Sequence, residues 1–101
     1  MLDDQSFQRL LWFLIAGSRG GKTRARIIQN IRAKPLNANQ LSEALQLNYK
    51  TVQHHLRILV QNRILINQPP GAVYGATYFL TVEMEQSMAL FGKICGEFGK
   101  K

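Results

Sequence analysis

The segment from Leu36 to Arg63 constrains the fold of this chain most, because it encodes two short helices joined by a tight turn. Asn37 and Gln40 form an Asn-x-x-Gln pair, in which each side chain accepts a hydrogen bond from the backbone of the other. Such a pair is typical of a helix N-terminus. Asn48 offers a second N-cap, and residues 49–61 then continue without glycine or proline. The pattern predicts a helix, a break and a second helix.

The second of these helices has two distinct sides. Its apolar residues recur at i, i+4, i+7 and i+8 and form one stripe that faces a core, namely Val52, Leu56, Leu59 and Val60. The opposite side is polar and contains no acidic residue: Tyr49, Lys50, Thr51, Gln53, His54 and Arg57. Side chains of these types hydrogen-bond to base edges and phosphates, so we expect this face to enter the major groove of double-stranded DNA. For any single helix, a solvated polar face is the alternative.

The distribution of charge favours a polyanionic partner. The chain of 101 residues has a net charge of +7 and a pI near 10.1. Between Arg19 and Arg63 there are nine basic residues and one acidic residue, a balance of +8, so the remainder of the chain is close to neutral. The positive charge is therefore concentrated around the helix pair.

The second helix also carries a family signature. The sequence TVQHHLRIL resembles the V-S-x-H-L-x-x-L motif of the ArsR-like winged helix-turn-helix regulators and of the small archaeal winged-helix regulators related to them. The matching positions are Val52, His55, Leu56 and Leu59. Gln53 replaces the usual serine, and Gln46 stands where the turn usually has glycine, which requires a left-handed backbone at Gln46. The resemblance covers roughly residues 23–80 and implies a DNA-binding transcriptional regulator.

The helix that precedes the pair is predicted over residues 24–33, with Thr23 as its N-cap and with Ala25, Ile27, Ile28 and Ile31 on its core side. Its arginines, including Arg24, are expected to stay solvated. In winged-helix proteins the N-terminal end of this helix can approach the DNA backbone. Lys22, Arg24 and Arg26 are therefore candidate phosphate contacts, with His55 as a further one, and solubilising charge is the alternative.

A β-hairpin is predicted after the helix pair and would form the wing. Residues 64–66 read as one strand, Asn67 to Gly71 as a turn, and Ala72 to Leu80 as the returning strand. The ending Tyr78-x-Leu80 also fits the family resemblance. Because the turn carries no lysine or arginine, any contact with the minor groove would fall to Asn67, Gln68 or the backbone near Gly71.

Two further helices are predicted at the ends of what we interpret as a single domain. Residues 5–16 form an amphipathic helix, in which Trp12 and Phe13 widen the apolar face. Thr81 caps a helix over residues 82–98 that carries a two-repeat heptad seam. We expect these helices to form the interface of a homodimer through Phe7, Leu11, Trp12, Met84, Met88, Phe91, Cys95 and Phe98.

A nucleotide-binding loop is a competing interpretation of residues 16–23. The sequence AGSRGGKT matches a relaxed phosphate-loop pattern, in which Lys22 would reach the phosphates and Thr23 would hold magnesium. Such a site needs a parallel sheet and a later strand that ends in aspartate, yet no aspartate follows Asp4. We therefore expect no nucleotide.

Several kinds of chemistry lack the residues they need. Cys95 is the single cysteine, which excludes an internal disulfide and suits a reducing cytoplasm. His54 and His55 are adjacent on a helix and point about 100° apart, so they cannot chelate one ion together. No catalytic arrangement is evident, and the apolar run at residues 10–16 is too short to span a membrane. We expect no metal, no cofactor, no enzymatic activity and no membrane association.

Taken together, the sequence predicts a mainly α-helical winged helix-turn-helix protein with a small β-hairpin and with extra terminal helices for dimerisation. Its expected function is sequence-specific regulation of transcription, as a cytoplasmic homodimer on an inverted DNA repeat. A winged domain that binds protein or non-specific nucleic acid in a larger assembly, such as the transcription machinery, is the alternative.

Overall fold

The computed structural model describes residues 4–70 and 75–99, with side chains for residues 5–70 and 75–96. In these segments six helices pack around a small sheet of three strands. In chain order the elements are α1 (Asp4–Ile15), α2 (Gly21–Ala33), β1 (Leu36–Asn37), α3 (Ala38–Leu45), α4 (Tyr49–Gln61), β2 (Leu65–Gln68), β3 (Thr77–Leu80), α5 (Val82–Gln86) and α6 (Met88–Gly99). This mostly helical fold with a small antiparallel sheet is consistent with a winged helix-turn-helix, as the sequence predicted.

The sheet has the order β1-β3-β2, and both pairings are antiparallel. Strands β2 and β3 form the hairpin of the predicted wing, with Leu65 opposite Leu80 and Gln68 opposite Thr77. The first strand starts one residue later than residues 64–66 suggested and extends to Gln68, and the observed part of the second is confined to Thr77–Leu80. The turn at residues 71–74, including Gly71, lies outside the described residues. The two-residue strand β1 was not predicted.

The core lies between the helix pair and the helices on either side of it. Helix α4 contributes Val52, Leu56 and Leu59, all fully buried, while Val60 is half-buried at the edge of this stripe. Helix α2 faces them with its predicted apolar side, Ala25, Ile27, Ile28 and Ile31. The periodicity of both helices therefore predicted their buried faces correctly.

The predicted start of α2 was wrong. The helix begins at Gly21, two residues before Thr23, and its N-cap is Gly20 in a left-handed conformation with φ +89°. A side chain on Gly21 has no room, since a Cβ there would overlap the carbonyl oxygen of Ile15. Two glycines thus allow α2 to pack closely against the end of α1.

The C-terminal helix was also predicted in one piece, whereas the chain forms two. Thr81 caps α5 as expected, with its hydroxyl accepting a hydrogen bond from the N–H of Met84. Ser87 then ends α5, and its carbonyl oxygen accepts a hydrogen bond from Phe91 in α6. The break directs Met84 into the core separately from the apolar side of α6, which packs against α1.

This packing places part of the predicted dimer interface inside one protomer. Four of its side chains are buried inside one protomer: Phe7, Leu11, Met84 and Phe91. Met88 and Cys95 are half-buried, and the side chain of Phe98 lies outside those described. Of the seven whose side chains are described, only Trp12 is exposed, at 51%, and its neighbour Phe13 is 53% exposed. Among the described residues, no helix is long and apolar enough to cross a membrane.

Candidate nucleic-acid interface

The capping box at Asn37 fixes the start of α3. The Oδ1 atom of Asn37 accepts a hydrogen bond of 2.7 Å from the N–H of Gln40, and the N–H of Asn37 donates to Oε1 of Gln40 over 2.9 Å. Both bonds satisfy donors that a helix N-terminus leaves free. The predicted capping box is therefore confirmed.

The turn between α3 and α4 has the left-handed residue that the sequence required. Gln46 adopts φ +57° and ψ +45°, and it is the C-cap of α3. The hydroxyl of Ser42 donates to the carbonyl oxygen of Leu47, which ties the end of α3 to the turn. Asn48 then caps α4 by accepting a hydrogen bond of 2.8 Å from the N–H of Lys50. These contacts fix the angle at which α4 leaves the turn.

The polar side of α4 is largely open to solvent. Four of the six predicted base-reading side chains are exposed, namely Lys50, Thr51, His54 and Arg57, while Tyr49 and Gln53 are half-buried. None of the six is acidic, and the described part of the chain places no acidic side chain in an ion pair with them. The exposed face therefore presents donors and positive charge to a partner.

Tyr78 on β3 extends this surface and was not among the predicted contacts. Burial raises the pKa of the Tyr78 phenol, as does nearby Tyr49, whereas the positive charge of Arg57 lowers it. The three side chains are therefore electrostatic neighbours. A groove of about 240 Å³ separates the starts of α3 and α4 from β3, and it is lined by Asn37, Ala38, Asn39, Tyr49, Gly75, Ala76 and Tyr78. The Tyr78-x-Leu80 ending was the signal that could have identified this residue.

Arg24 does not lie on this surface, and the expectation that it stays solvated was wrong. The side chain is 4% exposed and folds under the loop between α1 and α2. Its Nε donates to the carbonyl oxygen of Leu14 over 2.8 Å, and its Nη2 donates to the hydroxyl of Ser18 and to the carbonyl oxygen of Arg19. No carboxylate is among these partners, and burial lowers the pKa of Arg24. Arg24 is therefore a structural anchor.

His55 completes this buried cluster from the side of α4. It is 8% exposed, and its Nδ1 lies 3.4 Å from Nη1 of Arg24, from which it can accept a hydrogen bond. Burial lowers the pKa of the His55 imidazole, and the positive charges of Arg24 and His54 lower it further. A buried, neutral His55 holds α4 against the start of α2. We therefore assign it to positioning the helix rather than to phosphate contact.

The other predicted contacts have mixed positions. Lys22 is exposed at the start of α2. Arg26 is also exposed, and its Nη2 donates to the carbonyl oxygen of Leu45 over 3.4 Å at the end of α3. On the wing, Asn67 is half-buried and Gln68 is exposed at the end of β2. Across residues 4–70 and 75–99, no three His, Cys, Asp or Glu side chains lie together in a way that could hold a metal ion.

The comparison with known families agrees with this geometry. Residues 21–66 match the family model described as "Bacterial regulatory protein, arsR family". The match runs from the first residue of α2 to the second residue of β2 and covers a little under half of the chain. It therefore includes the complete helix pair and supports an ArsR-like helix-turn-helix domain of the kind found in DNA-binding regulators. No curated protein matches the chain.

Proposed function

We propose that this protein is a sequence-specific regulator of transcription that binds an inverted DNA repeat as a homodimer. The observation that supports this most directly is the exposed, acid-free side of α4, held by two side-chain caps within the segment that matches the ArsR-type family. A helix presented in this way is suited to the major groove. The excess of positive charge on the same segment would attract the phosphate backbone.

The exposed and half-buried residues of α4 would both contact the DNA. Lys50, Thr51, His54 and Arg57 would reach base edges or phosphates, with Tyr49 and Gln53 completing the contact. Lys22 and Arg26 would contact phosphates from the neighbouring helices. Asn67 and Gln68 would approach the minor groove from the wing, more weakly than an arginine would.

The dimer would be formed through the exposed part of α1. Trp12 and Phe13 present adjacent aromatic side chains that the protomer leaves uncovered. Two copies joined in this region would carry two α4 helices, which must lie about 34 Å apart to read half-sites one turn apart. The two-fold symmetry of such a dimer would make an inverted repeat the preferred target, and the spacing would set the distance between its half-sites.

A selection from a random duplex library at near-physiological salt would test this function. We expect enrichment of an inverted repeat, followed by a steep loss of affinity as salt is raised, because each phosphate contact releases counterions. If no sequence is enriched and binding stays weak, sequence-specific recognition is excluded.

Arg57→Ala would then show how much one residue of α4 contributes to the affinity and specificity of DNA binding. We expect about 1–3 kcal/mol of lost affinity, with relaxed preference at one base pair if Arg57 reads guanine, or with a shallower salt dependence if it contacts phosphate. Lys93→Ala is the control, since Lys93 is an exposed basic residue on α6, outside both the proposed DNA contact and the proposed dimer contact. Equal affinity, specificity and salt dependence in the two variants would remove Arg57 from the interface.

A module that binds protein or non-specific nucleic acid within a larger assembly is the second candidate function. The exposed Trp12 and Phe13 favour it, because adjacent aromatic side chains also suit a protein partner. A monomer in solution that shows no sequence preference on DNA would support this alternative.

A further inference from the structure

A cavity on the edge of the sheet has no part in the proposed DNA contact. It has a volume of about 400 Å³ and lies between the end of α2, strand β3 and the junction of α5 with α6. Its lining consists of Ile31, Arg32, Pro35, Phe79, Leu80, Glu85 and Met88. The volume falls within the range of about 300–1,000 Å³ that is typical of small-molecule sites.

Part of the lining of this cavity is apolar. Ile31 is buried, and Leu80 and Met88 are half-buried, so a groove between them excludes part of the surrounding water. Pro35 and Phe79 are exposed at its sides, with Phe79 exposed by 36%. A branched aliphatic group placed here would cover apolar surface that the protein leaves in contact with water.

Leu80, which lines the cavity, also carries a backbone donor and acceptor beyond the end of β1. Strand β1 pairs with β3 only as far as Leu36 opposite Tyr78, so Leu80 extends past the end of β1. The N–H of Thr81 donates to Ile64 on the β2 side. Because successive residues of a strand direct their backbone groups to opposite sides, the N–H and C=O of Leu80 point to the β1 side. The N–H of Lys34, which faces Leu80 across this gap, donates to the carbonyl oxygen of Asn30 instead of to the C=O of Leu80.

Two opposite charges complete the lining. Arg32 lies in the last turn of α2, and Glu85 lies in α5. Neither side chain forms an ion pair or a hydrogen bond within the described residues, although both line the same cavity. A ligand with a carboxylate and an ammonium group would match this pair better than a ligand with one charge.

We propose that this cavity binds a free α-amino acid with an aliphatic side chain. The carboxylate would contact Arg32 and the N–H of Leu80, and the ammonium group would contact Glu85 and the C=O of Leu80. The aliphatic group would pack against Ile31 and Met88. A role as an effector of DNA binding rests on the function proposed above, but the binding itself does not.

Titration of L-leucine into the isotope-labelled full chain, followed by NMR, tests the proposal without DNA. We expect saturable shifts at Arg32, Leu80 and Met88, with a dissociation constant on the order of 1 mM or lower. Glycine lacks the aliphatic group and 4-methylpentanoate lacks the ammonium group, so each should bind about tenfold more weakly. The absence of saturable shifts with leucine, or equal binding of glycine, would overturn the proposal.

Two pairs of variants distinguish this cavity from general binding to surface charge. Glu85→Gln and Arg32→Gln should each weaken leucine binding about tenfold, because each removes one charged partner. Glu83→Gln and Lys34→Gln are matched controls, since both residues are exposed nearby and neither lines the cavity. Glu85→Gln should also abolish the preference for leucine over 4-methylpentanoate. Equal loss in a variant and its control would contradict the assignment, while leaving the test of DNA binding unaffected.

Discussion

At the scale of single residues, Arg24 and His55 show how a polar pair can join distant parts of the chain. Arg24 occupies the same helical stripe as Ile27, Ile28 and Ile31, three, four and seven positions away, which was the signal that its side chain points inward. The sequence did not reveal its partners, since Leu14, Ser18 and His55 are brought to it only by tertiary packing. An arginine that read as a surface contact is thus a buried anchor.

The His55 contact makes stability depend on pH. The pKa of His55 is lowered in the folded protein, so the unfolded chain binds the proton more readily. This contribution to stability is fully present above the unfolded value of about 6.5 and is lost as pH falls from there through the folded value. We expect the free energy of unfolding, measured with urea, to fall between about pH 7.5 and pH 5.5.

Two substitutions identify the group responsible. His55→Gln should make stability less dependent on pH over this interval, even if its stability at neutral pH is reduced. His54→Gln alters an exposed neighbour, and the free energy of unfolding of this variant should still fall by most of the same amount as pH is lowered. A loss of stability that is unchanged in His55→Gln would show that another group titrates.

At the scale of helices and strands, local signals predicted the helix pair well. Asn37, Gln40, Gln46 and Asn48 act through neighbours within a few residues, so their roles could be read without knowledge of the fold. The start of α2 depends instead on close contact with α1, and the break at Ser87 accompanies the packing of α6 on α1, which no local pattern encodes. For the same reason the short strand β1 was missed, because it forms only by pairing with β3.

Glycines in two different settings give a prediction for the helices. Gly92 lies inside α6, and a Cβ there would meet no atom within 4 Å. Gly92→Ala should therefore raise the free energy of unfolding by up to about 1 kcal/mol, through helix propensity. Gly20→Ala should instead lower it by about 1–3 kcal/mol, because φ is +89° and the Cβ would lie 2.7 Å from Cε1 of His55. Urea denaturation of both variants would measure this difference, and shifts of the same sign would contradict it.

At the scale of the whole molecule, the terminal helices α1, α5 and α6 bury most of their apolar side chains within one protomer. The heptad spacing of Met84 and Phe91 was interpreted as a seam between copies, but α1 and the core already cover these side chains. A sequence pattern reports that a face is apolar and does not report which surface covers it. The proposed dimer therefore depends on the aromatic side chains that remain exposed on α1.

Replacing these side chains tests the dimer directly. The double variant Trp12→Ser and Phe13→Ser should be monomeric by sedimentation at concentrations where the unmodified protein is dimeric, because it removes the exposed aromatic area. Val82→Ser is the matched control, since Val82 is 67% exposed on α5, and it should remain dimeric. On the enriched inverted repeat, the double variant should lose the added affinity that two linked half-sites provide, while binding to a single half-site stays the same. Dimers that persist in the double variant would place the interface elsewhere, and loss of half-site binding as well would indicate damage to the fold.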